Sequence, residues 1–355
     1  LMLLNQRQES LAAYDAALAI KPGYLDALIG KVTILALSNQ GKEALSILEN
    51  TILLHPDEPE VLNLKGLALT VLGRHSEAIL AFDAALAIKP NSPTFLANKG
   101  LALINLERHS EAIYFLNVAL DIRPNDRQAL SNKSHALLKL RRYEEALEVI
   151  ETELAIDSKD ISTLSSKGFA LVKLERYEEA VQAYNTLLNI QPHNFAAVVE
   201  KSRILFKLGH YEEALSEINA VLEADPDYHL AFIVKGNILA KLKRYEEAIA
   251  VYDSLLQKES LPAVFDLKGY TLVQLGRHRE AVNAFSAALS INPNYAPAIY
   301  HKAIALANLG NHDEAIAALT RVFVISPSSK EAAKTEPRLK VLHKDPRFQS
   351  LFSSN

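Results

Sequence analysis

Histidine, serine and glutamate stand side by side twice in this chain, as His75-Ser76-Glu77 and His109-Ser110-Glu111. These are the residue types from which a base, a nucleophile and an orienting acid are built for acyl transfer. Adjacency defeats the arrangement, because neighbours at a helix start point in different directions and cannot form that line. Spacing gives the histidines another meaning. His75, His109, His278 and His312 share one recurring position, which Tyr143, Tyr177, Tyr211 and Tyr245 fill elsewhere, and a residue that returns in every turn of a pattern is structural. The other histidines are scattered, and HExxH, a Gly-rich phosphate loop and GxSxG are all missing, so no enzymatic activity, metal or cofactor is expected.

Paired acids offer a second chemistry. Glu144-Glu145, Glu178-Glu179, Glu212-Glu213 and Glu246-Glu247 could serve as general acid and base. They also fall where a helix opens, and a carboxylate in a first turn gains ~0.3–1 kcal/mol from the helix dipole, which accounts for them. Lysines form two rows. Lys139, Lys173, Lys207 and Lys241 recur every 34 residues and would either receive acidic groups of a ligand or complement a helix C-terminus. Lys31, Lys65, Lys99, Lys133, Lys167, Lys201, Lys235, Lys268 and Lys302 form the second row.

The elements that position these residues follow from the same interval. NLKGLALTVLGRHSEAILAFDAALAIKP (63–90) aligns with NKGLALINLERHSEAIYFLNVALDIRP (98–124) and SKGFALVKLERYEEAVQAYNTLLNIQP (166–192). Numbered so that the second lysine row falls at position 7, whole repeats begin at Leu25, Pro59, Pro93, Arg127, Ile161, Phe195, His229, Pro262 and Ala296. Only the step from His229 to Pro262 is one residue short. Residues 1–24 match the second half of a repeat, so the sequence starts inside a helix and reads as a fragment of a longer array. Apolar or small residues at positions 3, 4, 8, 10, 11 and 14 mark one face of a first helix. Gly73, Gly209, Gly276 and Gly310 signal a turn at position 15, and a second apolar stripe runs over positions 18–30 to a closing Pro. Alanine holds position 20 from Ala78 to Ala315, where a small side chain lets antiparallel helices approach to ~8–10 Å.

The pattern resembles the tetratricopeptide repeat, on Gly66, Leu69, Ala78, Phe82, Ala85 and Pro90 in one repeat and Gly168, Leu171, Ala180, Tyr184 and Pro192 in another. Ser158 replaces Pro, Ser134 and Ser202 replace Gly, and Leu62, Leu96 and Leu130 stand in for an early aromatic. The resemblance implies an all-α fold, a right-handed superhelical solenoid of antiparallel helix pairs whose concave groove is lined by the first helices. Nine repeats over 25–329 would stack as one solenoid. Residues 330–355 read as a capping segment: Leu339, Leu342, Phe348, Leu351 and Phe352 suit a helical face, with Asp345 and Pro346 as cap and first residue.

Helical projection leaves positions 2, 5, 6, 9, 12 and 13 of the first helix free to line the groove. They read Ala97, Leu101 and Ile104; Ser131, His135, Leu138 and Lys139; Ser165, Phe169, Val172 and Lys173; Val199, Arg203, Phe206 and Lys207; Ile233, Asn237, Ala240 and Lys241; then Asp266, Tyr270 and Tyr300. So apolar a stripe suggests a covering partner, and the expected function is a scaffold binding a peptide or helical segment of another protein. A spacer or self-associating rod using its terminal repeats is the alternative, as is the recognition arm of a larger enzyme. Some family members clamp a terminal carboxylate with Lys and Asn on successive repeats. Asn98 and Asn132 stand alone here, so that clamp is not expected.

Position 7 lies on the packed arc, so its lysines must be paired or reach water. Position 25 of the second helix carries Asp15, Glu49, Asp83, Asn117, Glu151, Asn185, Asn219, Asp253, Ser286 and Thr320. All accept hydrogen bonds, and each lysine is predicted to end on one, in its own or the preceding repeat. Composition bounds the rest. Apolar residues make up 49% against 23% charged, a folded chain's balance. A formal charge of −4 with mixed signs gives no footprint for nucleic acid or a membrane surface. No Cys and no long apolar run leave a cytoplasmic protein as the expectation.

Overall fold

The computed structural model describes residues 2–38 and 40–352, and their side chains apart from those of residues 2–6 and 37. Every regular element among them is helical. Leu1 of the partial repeat and the last three residues of the tail lie outside the described residues. The chain divides into two compact blocks, 1–190 and 191–355.

The amino-terminal block begins with α1 (Met2–Ile20). Helix pairs follow: α2 (Leu25–Leu37) and α3 (Gly41–Leu54), α4 (Pro59–Val71) and α5 (His75–Ile88), α6 (Pro93–Asn105) and α7 (His109–Ile122), α8 (Arg127–Lys139) and α9 (Tyr143–Ile156), α10 (Ile161–Lys173) and α11 (Tyr177–Ile190). In the carboxy-terminal block the pairs are α12 (Phe195–Leu208) and α13 (Tyr211–Ala224), α14 (His229–Lys241) and α15 (Tyr245–Lys258), α16 (Pro262–Gln274) and α17 (His278–Ile291), α18 (Ala296–Asn308) and α19 (His312–Ile325). Within each block a first helix packs on the second helix of its own repeat, on the second helix before it, and on neighbouring first helices. The all-α repeat expected from the 34-residue interval is the fold observed.

Side-chain size sets how the two helices of a pair meet. Alanine at position 20 is fully buried in all nine whole repeats, from Ala44 to Ala315. Position 8 faces position 24, and the two vary together. Where position 24 is aromatic, as in Phe82, Tyr184, Tyr252 and Phe285, position 8 is Gly66, Gly168, Gly236 or Gly269. A β-carbon on Gly168 would lie 2.5 Å from the Tyr184 ring. Where position 24 is Ile150 or Ile218, position 8 is Ser134 or Ser202, and the serine hydroxyl bonds a carbonyl of its own helix, Ser131 O at 3.0 Å and Val198 O at 2.8 Å.

The turn between helices is more uniform than its sequence. Position 15 is left-handed in eight repeats: at Gly73, Gly209, Gly276 and Gly310, but also at Glu107 (φ 59°), Arg141 (60°), Glu175 (58°) and Lys243 (61°). In each the next N–H reaches back to the position-11 carbonyl, as in Arg142 N to Leu137 O at 2.9 Å, which satisfies helix-end carbonyls that would otherwise be unpaired. Ser92, Asp126, Asp160 and Asn194 cap the first helices that follow them.

After α19 the chain forms α20 (Ser328–Thr335), a 3-10 turn (Pro337–Leu342) and α21 (Pro346–Ser350). Leu339 and Leu342 are fully buried and Phe348 nearly so, against the apolar cluster of the last repeats, and Asp345 caps α21 through Arg347 N at 2.9 Å. No helix among the described residues is long and apolar enough to cross a membrane.

Gly168→Ser alone should destabilise the chain by roughly 1–3 kcal/mol through overpacking against Tyr184. Gly168→Ser with Tyr184→Ile recreates the Ser134–Ile150 pair and should recover most of the loss in denaturant unfolding. Strictly additive costs in that cycle would show that the two positions do not set the helix spacing.

Candidate functional site

Most of the residues expected to line a groove reach the surface to some degree, some on each block. On the amino-terminal block, Phe169 is 43% exposed, its ring edge 6.4 Å from Tyr143 and its face 5.2 Å from the Lys173 ammonium. Leu101, Leu138 and Val172 are half-buried, while His135, Lys139 and Lys173 are exposed. Partial desolvation, and behind it the Lys139 charge, lowers the His135 pKa.

On the carboxy-terminal block, Phe206 meets Tyr211 edge-on at 5.4 Å. Phe206, Asn237, Ala240, Lys241 and Tyr270 surround a cavity of about 560 Å³. The buried Tyr252 hydroxyl at its base donates to Asn237 Oδ1 at 2.9 Å. Burial pushes the Tyr252 phenol well above its usual pKa, so it remains a donor. Arg203 is exposed and pairs with Glu200 at 2.9 Å, and Lys207 is exposed as well. Tyr270 and Tyr300 are not fully open, because the tail reaches them. The Arg338 guanidinium lies 5.2 Å from the Tyr270 ring, Asn308 Nδ2 donates to Arg338 O at 2.9 Å, and Tyr300 is half-buried with its phenol pKa raised by burial and by Glu336.

Four positions projected as free are buried: Ala97, Ile104, Val199 and Asp266. Projection of one hairpin leaves out the next repeat, whose first helix covers position 5. Contacts 35 residues apart show this. Asn98 Nδ2 donates to Asn63 Oδ1 at 2.9 Å, and His301 Nδ1 meets Asp266 Oδ1 at 2.8 Å. Gln128 Nε2 extends the first contact by donating to Asn98 Oδ1 at 2.9 Å. Asn98 is thus engaged between helices through both its amide nitrogen and its oxygen.

The position-7 lysines follow their predicted course in part. Lys31 bonds Asp15 at 2.6 Å, Lys167 bonds Glu151 at 2.6 Å, and Lys99 and Lys268 bond Asp83 and Asp253. The acceptor in each case is a carboxylate of the preceding repeat. Lys201 turns to Glu217 of its own repeat at 2.6 Å. Neutral groups do not substitute: Asn117 and Asn219 leave buried Oδ1 atoms unpaired, and Ser286 and Thr320 spend their hydroxyls on carbonyls four residues back. A charge-assisted bond is about twice as strong as a neutral one, and only that draws the ammonium over. The paired acids divide similarly. Their second members, Glu145, Glu179 and Glu247, are held below the usual carboxylate range by Arg142, Arg176 and Arg244, a recurring pair missed in the sequence.

Glu153 was missed altogether. At its position, 27, the other repeats carry Ala, Thr, Leu or Val. Glu153 is only 9% exposed; its Oε2 accepts from Thr163 Oγ1 at 3.2 Å, and Oε1 is buried with no partner. Burial raises its pKa, opposed by the Ser134 and Thr163 hydroxyls. Comparison of position 27 across repeats is the signal that finds it.

A tetratricopeptide repeat profile matches residues 166–228 and 199–262, and a second matches 1–68 and 272–334. A profile of anaphase-promoting complex (cyclosome) subunit 3 matches 73–153. No curated protein matches in sequence. Among solved structures, a tetratricopeptide repeat protein from Parabacteroides merdae is similar at 18% identity and a TM-score of 0.55, over 70% of this chain and 98% of that one. Pseudomonas aeruginosa pilF is similar at 17% identity and a TM-score of 0.51, over 66% and 99%. Both are likenesses of fold.

Glu153→Leu, the residue that Leu187 supplies at the same position, should raise stability at pH 7 by roughly 1–3 kcal/mol by removing an unsatisfied buried carboxylate. The folded state holds the Glu153 proton more tightly than the unfolded chain does. The native protein therefore loses stability here as pH rises from the unfolded to the folded pKa, and the variant's advantage should shrink on acidification. Thermal melts of both proteins from pH 4 to pH 8 (range chosen about the carboxylate value of ~4.3) test this, and a pH-independent difference would assign it to packing.

Proposed function

The chain belongs to the tetratricopeptide repeat family, and from that premise we propose that it is a protein-interaction scaffold holding a peptide segment of its partner on the exposed faces of its first helices. The cavity at Phe206 and Tyr270 carries this reading: about 560 Å³ of open space between first helices, walled by aromatic rings, with a polar group fixed in place. Concave, mostly apolar sites with a few oriented polar groups are where proteins take up ligands. Because Asn237 Oδ1 is occupied by Tyr252, its amide N–H groups are left to meet a peptide carbonyl. Lys241 beside them supplies a cation at the rim. The Phe169 patch on the amino-terminal block offers a second aromatic anchor, with Lys173 in the same relation to it.

A random peptide library displayed against the whole chain should yield binders with apolar or aromatic anchors. Phe206→Ala and Tyr270→Ala should each weaken a selected peptide by ~1–3 kcal/mol, the range of aromatic hot spots, with little change in melting temperature. Loss of stability without loss of binding would mark both rings as core and defeat the assignment. Added salt should weaken binding only modestly, since exposed charge pairs contribute ~0.2–1 kcal/mol.

A further inference from the structure

We propose that the cavity between the amino-terminal ends of α8 and α10 receives a primary ammonium group, the side-chain end of a lysine in the bound partner, with Glu153 as its counter-charge. The proposal rests on the peptide-binding reading and adds a chemical preference to it. The cavity measures about 230 Å³ and is lined by Arg127, Gln128 and Ser131 of α8, by Glu153 from α9 behind, and by Asp160, Ser162 and Thr163 at the start of α10. Gln128, Ser131 and Ser162 stand at positions 2 and 5 of their repeats, on the arc projected to face a ligand.

Three observations converge on a cation with several N–H donors. Glu153 Oε1 is buried and unpaired while Oε2 is already taken by Thr163, so one carboxylate oxygen lacks a donor, and a buried unpaired charge is costly enough to demand one. The local charge is negative. Glu153, Asp157 and Asp160 stand against one cation, Arg127, which lines the cavity rim with its side chain 58% exposed and its guanidinium committed to Asp157 at 3.1 Å and Asp160 at 3.3 Å, so three carboxylates share a single positive charge. The remaining wall is rich in acceptors. Gln128 gives its Nε2 to Asn98, which leaves its Oε1 for an incoming donor, and the Ser131 hydroxyl is a further acceptor. An ammonium has three donors for these three oxygens, whereas a guanidinium wants both oxygens of one carboxylate. No group of three or more His, Asp or Glu side chains able to hold a metal ion occurs among the described residues, so a bare divalent ion is a poorer fit.

The test uses the full chain with its glutamate side-chain carboxyls labelled with carbon-13, the Glu153 resonance being the one absent from Glu153→Leu. Titration with n-butylammonium should shift that resonance saturably and lower the pH midpoint of its titration, because a bound cation favours the carboxylate. n-Butanol and tetramethylammonium should do neither, one lacking charge and the other N–H donors. No saturable shift, or an equal response to tetramethylammonium, would overturn the proposal and leave water on Glu153. A peptide library separates this from the broader reading. Wild-type selection should enrich lysine, and Glu153→Leu should weaken those peptides roughly tenfold or more, as loss of a buried charge partner does, while retaining apolar selection. Peptides that bind without any dependence on Glu153 would overturn the ammonium site and leave the scaffold standing. A butylammonium response in a chain that selects no peptide would support the site and defeat the scaffold.

Discussion

Two helices of a pair can share a core only if something small stands where they cross, and most of this structure is arranged around that need. Alanine at position 20 is the constant part. The variable part is the exchange between positions 8 and 24, where a ring on one helix is met by the absence of a β-carbon on the other and a branched aliphatic by a serine. Core volume is conserved across the pair while the residues are not, as expected for interiors packed to crystal-like density. With the spacing of the pair fixed, the same faces of each first helix are left over in every repeat, and Phe169 and Tyr270 lie exposed on those faces.

Charge enters as fastening between repeats. In four repeats the lysine at position 7 crosses to a position-25 carboxylate of the preceding repeat, so that an ion pair spans the seam. Side-chain amides and an Asp–His pair bridge successive first helices at positions 5 and 6. Polar groups buried at such seams hold register, since a slip would strand each of them without a partner. Arg–Glu pairs three residues apart open most second helices, but they are exposed and contribute little to stability.

The repeat, its two helices and the close approach at position 20 were legible in the sequence because each depends on spacing within one hairpin. What depends on the neighbouring hairpin was not. Ala97, Val199 and Asp266 at position 5 project onto a free face of an isolated helix pair and are buried where the next first helix packs, and Ile104 at position 12 is buried as well. The position-25 acceptors were legible for Lys31, Lys99, Lys167 and Lys268 only; counting every oxygen as equivalent overlooked that a neutral amide or a hydroxyl bonded to its own helix does not attract an ammonium as a carboxylate does. Glu107, Arg141, Glu175 and Lys243 adopt the left-handed turn without glycine, which composition alone does not announce. Glu153 was hidden by its setting, a glutamate among the glutamates of α9, distinguishable only by its place in the apolar stripe. The contact of Arg338 with Tyr270 has no periodic origin, since the tail lies outside the repeat.

That contact makes the tail more than a lid on exposed core. Glu336 grips the Arg338 guanidinium at 2.7 Å, and Asn308 holds the backbone of the same residue, so the cation over Tyr270 is rigidly mounted. The phenol ring is shared between an open cavity and a piece of its own chain. An aromatic row of this kind would otherwise be translationally ambiguous, each repeat offering much the same foothold as the last. A fixed plug at one end breaks the ambiguity: it gives the row an origin at Tyr270, from which Phe206 lies at a set distance.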